Sequence, residues 1–226
     1  MISPMQSSSN KHHFAVLQAG ARMHYAVPAL LAQNNQLKTF YTDIHGDHGW
    51  LQWLNQDKLP TPKALKRLLG RKLPDNLPRS LVRDQPLTTL GMLALNRLPS
   101  IHLDPEQALL QRAQREKFDG ATALYTNFVN SDLPTVKAAK AEGLFCIHEL
   151  IIGADVGRIM LEERERFPDI ESHREPESVV KEGIQKDRQK WDMVDRILVP
   201  SQYCFDSCVA LGANPKKLWI VPYGIH

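Results

Sequence analysis

Short apolar runs alternate along this chain with stretches in which apolar residues recur every third or fourth position. Phe14-Ala15-Val16-Leu17 is such a run; it stops at Ala19-Gly20, and Met23, Val27, Leu30 and Leu31 follow at helical spacing. The pattern predicts strand, glycine turn and helix, with Pro28 disturbing the helix's first turn or kinking it. Leu37-Lys38-Thr39-Phe40-Tyr41-Thr42 predicts a second strand and completes a β-α-β unit of the size a right-handed parallel crossover needs. After Asp43 the alternation breaks. The text from His45 to Ser100 is rich in Pro, Lys, Arg and Leu, shows no strand pattern, and reads as a helical insertion.

Alternation resumes with a predicted helix from about Asp104 to Lys117, where Asp104 suits the N-cap and Pro105 the first helical position. A strand at Ala121–Tyr125, a helix from Asp132 to near Gly143 and a strand at Leu144–Ile147 are expected next. The charged stretch from roughly Ala154 to Asp195 reads as helical, divided by Phe167-Pro168-Asp169 and by Gly183. A strand at Arg196–Val199, a helix at Ser201–Leu211 and a last strand at Leu218–Val221 close the pattern. The expected fold class is therefore α/β: a doubly wound, mostly parallel Rossmann-like sheet over residues 12–226 with a basic helical insertion at about 45–100. Residues 1 to about 11 read as a disordered lead-in.

Composition narrows the function classes. With 42% hydrophobic and 23% charged residues, the 226-residue chain is neither disordered nor fibrous, and its length does not hold two full nucleotide-binding domains. A net charge of +3 supplies no global field for nucleic acid, so no nucleic-acid partner is expected. Cys146, Cys204 and Cys208 are odd in number and lack a CxxC pair, which argues against a disulfide framework or a thiolate zinc site and fits a reducing cytoplasm. The start, MISPMQSSSNKHH, is polar where a signal peptide needs an apolar run, and no segment has the length to cross a bilayer; a cytoplasmic location is expected.

In an open parallel sheet ligands bind outside the carboxyl ends of the strands. Those positions are Gly20-Ala21-Arg22, Asp43, Asn127, His148-Glu149, Ser201 and Tyr223-Gly224. They read as the lining of a small-molecule cleft, or as strand ends that are polar because they meet solvent. Gly20 is a ligand-approach glycine or a plain turn glycine. The fingerprint G-x-G-x-x-G is not met by Gly20–Tyr25, and no phosphate-binding G-x-x-x-x-G-K-[ST] run occurs, which disfavours a nucleotide-dependent oxidoreductase or a P-loop protein. His148 would place an imidazole at the cleft mouth with Glu149 near enough to tune it, or would be a satisfied structural histidine. Asp43-Ile44-His45-Gly46-Asp47-His48 carries metal-ligand types, but its glycine and loop position favour a solvated turn, and no metal is expected. Ser201 lacks the flanking glycines of a nucleophile elbow.

Within the insertion the charge is lopsided. Nine Lys/Arg lie between Lys58 and Arg97 against Asp75 and Asp84. Pro62 to Leu73 sets an apolar stripe (Leu65, Leu68, Leu69, Leu73) against a basic face of Lys63, Lys66, Arg67, Arg71 and Lys72. That helix suits peripheral contact with an anionic membrane surface or a phosphate-bearing acceptor, or is a solvated face over a packed stripe.

Asp195–Tyr203 (DRILVPSQY) and Leu211–His226 (LGANPKKLWIVPYGIH) resemble the end of the N-terminal domain of a retaining glycosyltransferase of family four: a strand ending in serine, a helix ending in Leu-Gly, and a closing strand running into a Pro-x-Gly hinge. Gly20–Pro28 is similar to the family's acceptor loop, although the family often has two adjacent glycines, and Ile147-His148-Glu149 resembles its strand-end histidine. The resemblance implies one half of a GT-B architecture, in which the first domain binds a glycan or lipid-linked acceptor and the second a nucleotide-sugar donor, with transfer that retains configuration and needs neither cofactor nor metal. It assigns His148 the catalytic role and places Gly20, Ala21 and Arg22 beside donor phosphates or acceptor; the strand-end rule adds Asp43, Asn127, Glu149 and Ser201 as substrate-binding residues. The sequence stops at Tyr223-Gly224-Ile225-His226 without the E-x-x-x-x-x-x-x-E donor motif, so the expectation is an absent C-terminal donor domain, with the chain either truncated or working with a separate donor-domain chain, and little activity alone. The alternative is a stand-alone Rossmann-like binding or scaffold module that has lost transfer.

Overall fold

The computed structural model describes residues 11–50, 66–68, 70–98, 100–128, 131–170 and 176–224. The lead-in, Lys63 and most of the apolar stripe at Pro62–Leu69 lie outside the described residues. Seven strands, β1 (Phe14–Leu17), β2 (Leu37–Tyr41), β3 (Val82–Arg83), β4 (Ala123–Thr126), β5 (Phe145–Glu149), β6 (Arg196–Val199) and β7 (Leu218–Ile220), form one sheet in the order β3-β2-β1-β4-β5-β6-β7. Every pairing is parallel, with Val16 opposite both Phe40 and Tyr125, and His148 opposite Ile197. This is a doubly wound, Rossmann-like sheet. The chain runs outward from β1 to β3 and then crosses back to β4, so the winding reverses between β1 and β4, where a crevice opens at the carboxyl ends.

Seven α-helices with both ends among the described residues carry the crossovers: α1 (Ala26–Gln33), α2 (Pro86–Leu95), α3 (Pro105–Arg115), α4 (Leu133–Ala141), α5 (Val156–Arg166), α6 (Glu177–Met193) and α7 (Gln202–Ala210). Alternate strand residues point to opposite faces. On one face Ala15, Leu17, Leu124, Cys146, Ile197 and Val199 pack with Leu109 and Leu110 of α3, Val136 of α4, Trp191 of α6 and Cys208 of α7. On the other, Phe14, Val16, Phe40, Ala123 and Tyr125 pack with Tyr25, Leu73 and Leu77. Phe40 is completely buried, worth about 1.5–3 kcal/mol for a side chain of that size. All three cysteines are free and buried, and burial pushes the Cys146 and Cys208 thiols up to about 12, out of the reactive range.

The start of α3 follows the expected chemistry. Asp104 caps α3 by accepting from the Glu106 and Gln107 amides at 2.8 and 3.3 Å, with Pro105 at the first position. Four expectations are corrected. The insertion contains a strand, β3, whose two residues pair with Phe40 and Tyr41 at the sheet edge. Gly183 lies inside α6, and only the Phe167 region divides the charged stretch. Pro28 causes no kink, because it is the third residue of α1, where a missing N–H costs no intrahelical bond. The basic helix does not reach Leu73: residues 66–68 are helical, Gly70 is a turn, and Leu73 is buried in the second core. Among the described residues no helix is long and apolar enough to cross a membrane.

Candidate functional site

The loop after β1 is held in an uncommon shape. Gly20 has φ +71°, a conformation only glycine adopts freely, and its N–H donates to Asp43 Oδ1 at 2.9 Å. Asp43 Oδ2 in turn accepts from Arg71 Nη1 at 2.7 Å, so Arg71 of the insertion is committed to this loop rather than to a basic outer face. The Gln18 side chain donates to the carbonyls of Gly20 and Arg22 at 3.2 and 3.1 Å. Met23, His24 and Tyr25 then make a left-handed turn with φ 48°, 51° and 61°, which costs roughly 1–2 kcal/mol per residue. Tyr25 offsets part of this: it is fully buried with its ring edge-on to Phe40, and burial, followed by the charge of Asp43, raises its phenol pKa. Lys117–Asp119, at the opposite end of the sheet, has the same left-handed geometry, so strain alone does not mark a site.

The turn aims Arg22 across the carboxyl edge of the sheet. Its Nη2 lies 3.5 Å from Glu149 Oε1 at the end of β5 and donates to the Tyr223 hydroxyl, with the guanidinium 5.6 Å from the Tyr223 ring centre. Tyr125 donates its hydroxyl to Glu149 Oε2; burial, then the neighbouring carboxylate, raises the Tyr125 phenol pKa and keeps it a donor. Two cavities flank this cluster. One, of about 310 Å³, lies at the switch point and is lined by Ala19, Arg22, Glu106, Asn127, Phe128 and Ile151. The other, of about 340 Å³, is an apolar groove over the α1 face of the sheet, with Glu149 and Tyr223 on its wall. Asn127 and Arg22 line the first cavity, and their Nδ2 and Nε atoms are buried without a hydrogen-bond partner among the described residues. Partial burial, then the carboxylates of Asp104, Asp43 and Asp132, raise the Glu106 carboxyl pKa.

His148 is placed elsewhere. It is 1% exposed and lies on the other face of the sheet from Glu149, as neighbours on a strand must. The expectation of an imidazole at the cleft mouth tuned by Glu149 is corrected. Its Nδ1 faces Asp132 Oδ2 at 3.6 Å, and Asp132 also accepts from Thr126 Oγ1 (2.7 Å) and Lys190 Nζ (3.0 Å). Burial, then the Lys190 charge, lowers the His148 pKa, so the ring is neutral at pH 7. Burial works against ionising Asp132, yet His148, Lys190 and Thr126 together hold its carboxyl well below the usual range. Ser201 caps α7, accepting from the Cys204 amide at 3.3 Å.

The loop after β2 is not the solvated turn its glycine implied. His45 is 5% exposed, because the turn folds inward against the insertion. His45, His48 and Asp84 are the one group among the described residues whose ligand atoms converge as a metal site requires. Burial foremost lowers the His45 pKa.

The structure thus brings together Gly20, Ala21, Arg22, Asp43, Asn127 and Glu149, and separates His148 and Ser201 from them. Sequence reasoning put Arg71 on a basic outer face rather than against Asp43, and it missed Glu106, Asp84 and the Asp132–Lys190 pair. Asp132 was visible only as a helix start, and Lys190 only as one charge in a long polar helix.

No protein-family model matches the sequence, and no curated protein does. Among solved structures, TcCGT1 in complex with UDP is similar at TM-score 0.49 and 15% identity, over 93% of this chain and 50% of that one. Anabaena HepE in complex with UDP-glucose is similar at 0.46 and 12%, over 95% and 44%. UDP-N-acetylglucosamine 2-epimerase from Rickettsia bellii is similar at 0.45 and 10%, over 92% and 44%. The chain spans about half the length of each, and all three are distant likenesses of chain path.

Proposed function

We propose that this chain is the acceptor-side half of a GT-B glycosyltransferase, binding a glycan or lipid-linked acceptor while a second domain holds the nucleotide-sugar donor. One observation carries the reading. The three segments that resemble family four, the glycine loop, Ile147-His148-Glu149 and the Pro222-Tyr223-Gly224 hinge, converge in a single cluster of Arg22, Glu149 and Tyr223 at the carboxyl edge of the sheet. Arg22 and Tyr223 are 201 residues apart, so local chain geometry does not bring them together.

In this reading Arg22 and Asn127 offer donors to acceptor hydroxyls or phosphate, and Glu149 accepts from a hydroxyl. Asp43 holds Gly20 so that the loop backbone can approach the ligand, and Ser201 keeps α7 in place. His148, enclosed behind the sheet, is a positioning residue for the ends of β4 and β5. Transfer makes a bond from an acceptor oxygen to the anomeric carbon and breaks that carbon's bond to the nucleotide phosphate. The phosphate takes the acceptor proton, and configuration is retained. The second reading, a binding module without transfer, is favoured by the enclosure of His148, the residue to which the resemblance assigns the catalytic role.

Calorimetry of the 226-residue chain separates these assignments. UDP- and GDP-sugars are expected to bind weakly or not at all, and tight stoichiometric binding of either would overturn the acceptor-side reading. Sugar transfer on mixing with a donor-binding domain would exclude the second reading.

A further inference from the structure

We propose that His45, His48 and Asp84 form a site for one divalent transition-metal ion of the zinc class, which clasps the loop after β2 to the end of β3 and takes no part in sugar transfer. Nε2 of His45 lies 3.3 Å from Asp84 Oδ2, and Nε2 of His48 contacts the same oxygen. The two imidazoles lie side by side, ring centres 4.4 Å apart and 21° from parallel, with both Nε2 atoms turned to Asp84. The ligand atoms all fall within 4.8 Å of one another. A four-coordinate ion with nitrogen and oxygen ligands at about 2.0–2.2 Å spaces those ligands roughly 3.3 Å apart, so small side-chain rotations admit it.

The surroundings suit such a site. His45 is enclosed, whereas the His48 side chain is 27% exposed and gives the ion an entry path and room for a water as fourth ligand. Behind His45, Asp47 Oδ2 lies 3.6 Å from Nδ1 and is itself fixed by the Leu73 amide and by Arg79, each at 2.7 Å. A carboxylate on the non-ligating nitrogen is the usual outer support of a metal-bound histidine, turning the Nε2 lone pair toward the ion. Without the ion, the Asp47 amide donates to Nδ1 at 3.3 Å and the single ring proton sits on Nε2, facing Asp84; ion binding at Nε2 requires the other neutral tautomer, so the Nε2 proton is exchanged through solvent for one on Nδ1, where it faces Asp47 Oδ2 in place of the amide bond. Two imidazoles and one carboxylate select zinc-like ions over magnesium and calcium, which favour all-oxygen sites.

The clasp has a structural purpose. β3 has two residues and its ladder is short, yet it borders the loop that carries Asp43, the partner of Gly20. Joining residues 45 and 48 to residue 84 would fasten that edge.

The test uses chelator-stripped full chain titrated with ZnCl2, and with MgCl2 as control. One zinc per chain, a raised melting temperature and no response to magnesium are expected. His48→Gln and Asp84→Asn should each abolish the stoichiometric site, and Asp47→Asn should weaken it about 10–100-fold. Failure of the wild type to bind zinc, or equal binding by His48→Gln and Asp84→Asn, would overturn the proposal. Since a variant could lose binding by misfolding, the visible spectrum of the wild type with Co2+ is a second readout. A four-coordinate nitrogen and oxygen spectrum supports the site, and that of the hydrated ion overturns it.

Discussion

His148 and Glu149 are neighbours on β5, yet each belongs to a polar cluster with opposite physical character. Behind the sheet, His148, Asp132, Thr126 and Lys190 are enclosed, and the 2%-exposed Lys190 side chain is paired with Asp132 and also donates to the Phe128 carbonyl at 3.2 Å. In front, Arg22 is part-exposed and Tyr223 exposed, and both contact the buried Glu149 or each other at the solvent edge of the sheet. A polar network sealed from water fixes a shape, whereas one that solvent reaches can exchange its partners for a ligand. Strand alternation alone decides which fate each residue has.

The sharpest way to break the contrast is to remove one charge behind the sheet. Lys190→Met leaves the Asp132 carboxylate buried with its main cation gone, and a loss of about 3–5 kcal/mol in urea unfolding is expected. Because Lys190 lowers the His148 pKa, the same variant should show an upward shift of the imidazole titration by NMR. The Arg22–Glu149 and Arg22–Tyr223 contacts in front should survive wherever the variant is folded.

Acid should act on the same cluster. His148 has a folded pKa below its unfolded value of about 6.5, so the unfolded chain binds the proton first and stability falls as pH drops below about 6.5. The slope from this one group is at most about 1.4 kcal/mol per pH unit. Asp132, whose folded pKa is depressed, contributes stability that is present above about pH 4 and lost as pH falls further. Unfolding curves from pH 7.5 to 5, compared with His148→Gln, should show the upper slope flattened in the variant.

In front, effects on stability are smaller. Gly20→Ala meets only ordinary contact, since the added Cβ would lie 3.6 Å from Arg71, so its cost is the φ of +71° alone, about 1–2 kcal/mol by chemical denaturation. Arg22→Ala removes a part-exposed ion pair and should change stability by less than about 1 kcal/mol, while acceptor binding measured by calorimetry falls at least tenfold.

The strands at Phe14–Leu17 and Arg196–Val199 and the cap at Asp104 were legible because each rests on local pattern: an apolar run, or an acid before a proline. β3 was not, since Val82-Arg83 becomes a strand only by pairing with Phe40 and Tyr41. The left-handed turn at Met23–Tyr25 has no glycine to announce it and depends on Tyr25 finding the core beside Phe40. Of the candidate site, the location of Gly20, Arg22, Asp43, Asn127 and Glu149 at the carboxyl edge was legible from the strand ends, but not which face each takes. The Asp132–Lys190 pair joins positions 58 residues apart, and His48 meets Asp84 across 36, separations that no spacing rule reads.

Amide chemical-shift mapping of the isotope-labelled chain, titrated with glucose, N-acetylglucosamine, short oligosaccharides and a polyprenyl-diphosphate sugar, tests the front crevice most directly. The account predicts saturable shifts concentrated at Gly20, Ala21, Arg22, Asn127, Glu149 and Tyr223 for at least one of these probes, lost in Arg22→Ala and unaffected by UDP-glucose. Saturable shifts centred away from this edge, or no shifts with any probe, would contradict it.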